Sequence, residues 1–176
     1  SIDQFADGRL TINIISSDIP GETLASGPRY QRTREWMRGL RSLLAGEQLE
    51  MHGDFIDLSV TPPRAATVNG TCPPLYFGGF SEDAKDVAAA EADVFLTWPD
   101  TVAAVAATVR EMQDRAAGYD RKLVYGLRTH VIVRETEQEA RTAAEQLISR
   151  LDADTGAAIR SKSLDSASVG VQRQAA

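Results

Sequence analysis

Apolar residues along this chain gather into short blocks, and the blocks alternate between the period of a strand and that of a helix. Leu10-Thr-Ile-Asn-Ile-Ile-Ser16 reads as a buried strand entered through the turn Ala6-Asp7-Gly8-Arg9. A polar loop from Ser17 to Pro28 follows, and then Tyr30 to Leu44 carries apolar residues at 36, 37, 40, 43 and 44, with Gly46 just past the end. Leu49 to Val60, interrupted by His52-Gly53-Asp54, predicts a short surface hairpin with His52 as a solvated turn residue. An irregular connection runs from Pro62-Pro63 to Pro73-Pro74. Leu75-Tyr-Phe-Gly-Gly79 is the next strand, leading through Phe80-Ser81 into an alanine-rich helix to Ala90. Asp93 to Trp98 is a third strand, and Pro99 opens a helix with Val102, Val105, Ala106, Val109 and Met112 on one stripe. The run 123–133 is the fourth strand. Thr136 to Glu139 has capping-box form before a helix bearing Ala140, Ala144, Leu147, Ile148 and Leu151.

Four strand–helix units with apolar strands suit a parallel sheet covered by helices. They amount to half of an eight-fold barrel, which needs about 250 residues. A small open doubly wound sheet fits the same order, but no G-x-G-x-x-G follows any strand. A half-barrel leaves two sheet edges unpaired, so the chain is expected to be a fragment or to find a complement. The expected organisation is a partial barrel over 1–151 and a polar, poorly ordered segment over 152–176, where apolar density falls.

The chain has 176 residues, 43% of them hydrophobic, and a formal net charge of −6. This is the size of one domain, and its acidity argues against a nucleic-acid surface. Arg29, Arg32, Arg34, Arg38 and Arg41 cluster, but around a helix, so a solvated face is expected. No apolar run reaches the roughly eighteen residues of a membrane span. The N-terminus lacks the features of a signal peptide. Cys72 is the only cysteine, which excludes an internal disulfide, fits a cytoplasmic location, and leaves it no expected catalytic role.

Candidate chemistry concentrates at the carboxyl ends of the strands, where ligands of parallel α/β folds bind. These ends carry Ser16 and Ser17, then Gly78 to Ser81, then Trp98. Gly79 and Ser81 bracket a turn into a helix start, whose dipole and free N–H groups favour a phosphate; a plain Ser81 N-cap is the structural alternative. Arg128 and His130 stand two apart in the fourth strand and so share a face. In a core strand both are costly unless they meet an anion, which suggests an anion pocket beside a group that can move a proton. A structural ion pair with a satisfied core histidine remains open.

Ala6-Asp-Gly-Arg-Leu-Thr-Ile-Asn-Ile-Ile-Ser16, Arg29-Tyr30, Pro73-Pro-Leu-Tyr-Phe-Gly-Gly79, Phe95-Leu-Thr-Trp98, the stretch from Gly126 to Thr136 and Ser168-Val-Gly-Val-Gln-Arg173 together resemble the alkanesulfonate monooxygenases of the bacterial-luciferase-like flavin superfamily. The resemblance implies a TIM barrel seen as its central half, strands four to seven. It implies FMN, reduced by an NAD(P)H-dependent flavin reductase, and dioxygen, which together oxidise a small anionic sulfonate to an aldehyde and sulfite. It further implies a cytoplasmic homo-oligomer working in sulfur metabolism. Arg128 would then pair with the sulfonate or a flavin peroxide, with His130 hydrogen-bonding at the same place and Trp98 as a pocket wall. Ser81 and the Phe80 N–H would hold the FMN phosphate beside Gly79, and Asn13, Ser16 and Tyr30 would lie along the cofactor. Two departures from the family pattern are Phe80, where a small residue is usual, and Ser16, where threonine is frequent.

The resemblance begins inside the family pattern, so 176 residues would not complete the reaction alone. Other readings are a luciferase-like enzyme with another substrate or the deazaflavin F420, and a non-catalytic half-barrel that binds a partner through its edges.

Overall fold

A computed structural model describes residues 2–16, 24–62, 67–149 and 151–162 of the protein. After a short helix α1 (Ile2–Phe5) come β1 (Ile12–Ile14), α2 (Ser26–Leu44), the hairpin strands β2 (Leu49–His52) and β3 (Asp57–Val60), and β4 (Leu75–Phe77). Then follow α3 (Glu82–Glu91), β5 (Val94–Thr97), α4 (Val102–Ala117), β6 (Val124–Leu127), α5 (Glu137–Ile148) and α6 (Ala153–Lys162). Strands β1, β4, β5 and β6 form one parallel sheet in sequence order. This is the arrangement expected of consecutive β/α units of a barrel, and half of one is what the described chain contains.

Strand alternation decides where the core lies. Ile12 and Ile14 pair in register with Leu75 and Phe77, and Phe77 with Phe95, which in turn pairs with Tyr125. These side chains share one face, packed against Met37 of α2, Ala84, Val87, Ala88 and Ala89 of α3, and Met112 and Ala116 of α4. Alanines on α3 let that helix sit close to the sheet, and helices α2, α3 and α4 follow one another side by side over it. Asn13, Tyr76, Leu96 and Gly126 therefore lie on the opposite face.

Several expectations are corrected by packing. The fourth strand stops at Leu127, so Arg128 and His130 lie beyond it rather than inside it. Its neighbour β5 ends at Thr97, and no other described strand borders β6, so residues 129–133 have nothing to pair with. Helix α4 starts at Val102, not Pro99, because Thr101 is the N-cap, its Oγ1 accepting from the Ala104 N–H. The stripe α4 buries is Thr108, Met112 and Ala116, while Val102 is exposed. His52 belongs to β2, with Nδ1 2.7 Å from Asp57 Oδ1 across the hairpin.

The α2 arginines do not form a purely solvated face. Arg34 and Arg38 both bond Glu91 of α3, Arg34 also reaches Asp86, and Arg41 reaches Asp93. The acidic side of α3 turns these cations into a seam between the two helices, a pairing between distant segments that local spacing does not reveal. The segment from 152 was expected to be poorly ordered, yet Ala153–Lys162 is helical. Ser17 and the loop to residue 23, residues 63–66 and the tail 163–176, including Ser168 to Arg173, lie outside the described residues.

The capping box predicted at Thr136 and Glu139 is present, each side chain bonding the other's backbone N–H. Helix α5 nevertheless buries none of its residues, and Leu147 and Ile148 are 73% and 65% exposed. Its apolar stripe is uncovered by the described chain.

Candidate functional site

Two groups of predicted residues stand at the carboxyl ends of the strands. The first surrounds the turn between β4 and α3. Ser81 is the N-cap of α3, its Oγ accepting from the Ala84 N–H at 3.2 Å. The structural alternative for Ser81 is thus realised, and its hydroxyl proton remains able to donate outward. The first turn of α3 is acidic, which by itself opposes a phosphate. Both carboxylates are engaged, however: Glu82 with Arg115 and Lys85, and Asp83 by the Ser26 hydroxyl at 2.6 Å. Arg115 and Lys85 accordingly hold the Glu82 carboxyl below its usual range.

Gly79 fits this turn because a Cβ there would lie 2.6 Å from Ala84 Cβ. The same position is 3.7 Å from the Tyr30 hydroxyl, so α2 carries its phenol to the turn. Tyr30 is fixed from both sides, edge-on to Phe77 and beneath the Arg29 guanidinium, 5.3 Å from the ring centroid. Ser16, past the end of β1, accepts from Thr33 Oγ1 at 2.8 Å, which ties that strand end to α2. A hydroxyl at the cap, a phenol, and a backbone brought close by glycine suit an anionic oxygen cluster such as a phosphate.

The second group forms at the ends of β5 and β6. The Arg128 N–H donates to the Thr97 carbonyl at 2.9 Å, so Arg128 begins where β5 ends and stands next to Trp98. Trp98 is half-buried, whereas Arg128 and His130 are exposed. Burial therefore does not force either one to find an anion, contrary to the expectation for a core strand. No salt bridge engages Arg128 among the described residues, which weakens the structural ion-pair alternative. Asn13 sits apart from both groups, within β1 and exposed on the face away from the helices.

Sequence reading did not single out Leu96, Gly126 or the role of Gly78 on the open face. A Cβ at Gly126 would lie 2.7 Å from Leu96 Cδ2, and one at Gly78 would lie 2.5 Å from the Leu96 carbonyl oxygen. The available signal was the alternation that puts Gly126 opposite Leu127 and Tyr125 in facing, on the same side as Leu96 once β5 and β6 are paired. Among the described residues no group of His, Cys, Asp and Glu side chains could hold a metal ion, and no helix is long and apolar enough to cross a membrane.

Comparison with known proteins agrees with this architecture. The chain is 56% identical over 167 residues to a sulfoquinovose monooxygenase of Novosphingobium aromaticivorans, covering 95% of the chain and 46% of that protein. It is 44% identical over 178 residues to a sulfoquinovose monooxygenase of Agrobacterium fabrum, covering 99% of the chain and again 46% of the relative. The chain thus spans about half the length of the curated relatives it matches. Among solved structures, the oxygenating constituent of 3,6-diketocamphane monooxygenase from Pseudomonas putida, in complex with FMN, superposes with a TM-score of 0.66 at 15% identity. That match covers 85% of the chain and 49% of the other. The profile of the luciferase-like monooxygenases matches residues 1–175, and the chain belongs to that family.

Proposed function

We propose that this chain is the central part of a reduced-FMN-dependent monooxygenase that cleaves a sulfonate, with sulfoquinovose, a sugar sulfonate, as the substrate. The observation that carries the reading is Arg128, a cation unengaged by any described carboxylate, held at the β5–β6 end beside Trp98. Both curated relatives are named for sulfoquinovose, which favours it over a simple alkanesulfonate.

In this reading the Arg128 fork takes two sulfonate oxygens and His130 adds a hydrogen bond there. Trp98 walls the pocket from water. Ser81 and the Phe80 N–H hold the FMN phosphate beside Gly79 and the Tyr30 hydroxyl, and Asn13 and Ser16 lie along the cofactor. Bound reduced FMN supplies two electrons that, with dioxygen, place one oxygen atom on the sulfur-bearing carbon and the other in water. The carbon–sulfur bond breaks to leave an aldehyde and sulfite. The reduced flavin comes from an NAD(P)H-dependent reductase, and the protein acts as a cytoplasmic homo-oligomer. The test is sulfite release from sulfoquinovose by the full-length protein of which this chain is the central part, supplied with FMN, a flavin reductase and NAD(P)H. Release that requires all components supports the reading, and none above a protein-free control rejects it.

A further inference from the structure

We infer that Gly126 and Leu96 together set the size of substrate this pocket accepts, an assignment that rests on the sulfonate reading above. Leu96 and Gly126 face each other in register across β5 and β6, on the sheet face away from the helices. Gly126 also stands two residues before Arg128, whose N–H still bonds the Thr97 carbonyl where β6 gives out, so the Leu96–Gly126 pair lies at the end of the sheet that carries the proposed anion contacts. The carbon skeleton of a sulfonate held by Arg128 has this stretch of sheet as its floor.

The floor is kept low by an absent side chain. A Cβ at residue 126 would lie 2.7 Å from Leu96 Cδ2 and 3.6 Å from Val94 Cγ1. The nearest atom is the far end of a flexible side chain, so the fold survives an added methyl by turning Leu96 aside. On its other flank the backbone of β4 runs close to that of β5, since the Cβ that Gly78 lacks would lie 2.5 Å from the Leu96 carbonyl oxygen and 3.3 Å from Leu96 Cβ. The displaced isobutyl group therefore rises from the sheet into the space a substrate would fill. A bulky, polar sugar ring loses more from that than a short alkyl chain.

The test compares Gly126→Ala, Leu96→Ala and the double variant, each in the full-length protein that contains this chain, for sulfite release from sulfoquinovose and from ethanesulfonate. Gly126→Ala should lower kcat/KM for sulfoquinovose roughly tenfold or more while changing that for ethanesulfonate by about twofold or less, the scale on which apolar pockets sort substrates by a methyl group. Leu96→Ala added to Gly126→Ala should restore most of the lost sulfoquinovose activity, because it removes the group that was displaced. Circular dichroism and thermal melting confirm that each variant is folded. Equal losses on both sulfonates, no loss on either, or no rescue by the second substitution would overturn the assignment. Failure of the sulfonate reading shows on the unaltered protein, as no sulfite from either compound, and is thereby separate from failure of the variants.

Discussion

Asp93 and Leu75 are joined twice. The Asp93 N–H donates to the Leu75 carbonyl, and the Leu75 N–H donates to the Asp93 carboxylate, each at 2.9 Å. The carboxylate supplies an acceptor where β4 begins, and it also draws Arg41 of α2 to 3.0 Å and Arg121, just before β6, to 3.3 Å. One side chain thus joins two strands, a helix and the approach to a third strand. The site at the opposite end of the sheet depends on those strands keeping their register.

Asp93→Ala is therefore expected to destabilise the protein by about 1–2 kcal/mol, below the roughly 1.5–3 kcal/mol scale of hydrogen bonds to a charged group because the carboxylate is a third exposed. Asp93→Asn should cost less, since it keeps one acceptor but loses the charge facing two arginines. Urea unfolding checks this. An Ala variant with an unchanged midpoint would show that the clamp is redundant.

The hairpin is pinned in a similar way from α2. The Glu35 side chain, in a residue only 5% exposed, accepts the N–H groups of Asp54, Phe55 and Ile56 and the Gln31 amide. Gly53 lies so close that a Cβ would fall 2.4 Å from Oε2. Gly53→Ala should push the carboxylate off its donors and cost about 1–3 kcal/mol in stability, as expected when buried donors lose their acceptor. Protease cleavage confined to residues 50–60 should accelerate first. Unchanged cleavage there would mean that the hairpin does not depend on this carboxylate.

Glu35 also predicts acid sensitivity. Burial pushes its carboxyl up, but the Phe55, Gln31, Ile56 and Asp54 hydrogen bonds outweigh this and hold it below the ordinary glutamate value of 4.5. A carboxyl whose pKa is lowered on folding contributes stability above the unfolded value, and that stability is lost as pH falls through the folded value. Unfolding free energy should accordingly drop with pH below about 4.5, the reference glutamate value, and more shallowly in Glu35→Gln than in the native protein. Identical slopes for the two would remove Glu35 from the acid response.

Ser81 can be separated from its capping role by choice of substitution. Ser81→Ala should lose both the cap, about 0.5–2 kcal/mol of stability, and a contact to the flavin phosphate. Ser81→Asp keeps a capping oxygen but sets a negative charge against that phosphate. It should melt near the native temperature while binding reduced FMN at least about tenfold more weakly, a difference of roughly 1.4 kcal/mol. Native flavin affinity in the Asp variant would leave Ser81 as a helix cap alone.

Arg128→Ala should lower turnover by roughly a hundredfold, the scale of removing one preorganised donor from a developing charge. Arg128→Lys should recover only part, because an ammonium cannot span two oxygens. Thermal stability should hardly change in either, since no described salt bridge engages this exposed side chain. A large drop in melting temperature with normal turnover per folded molecule would reassign Arg128 to structure.

Much of the fold was legible in the chain because its determinants are local. Short apolar blocks gave four strands, the 3.6-residue period gave the helices between them, and Thr136 with Glu139 marked a helix start that the structure reproduces. The sheet order followed from the rule that consecutive β/α units lie side by side. The Gly79–Ser81 turn was visible because the residues that shape it are neighbours in sequence. What the sequence could not decide depended on partners far along the chain. The α2 arginines form a seam because α3 presents Glu91 and Asp86 to them, more than fifty residues away. The strand around Arg128 stops at Leu127 because β5 has already ended, so its length is set by a neighbour and not by its own apolar run. Leu96 and Gly126 meet only through the pairing of β5 with β6, and the space between them is a property of tertiary packing.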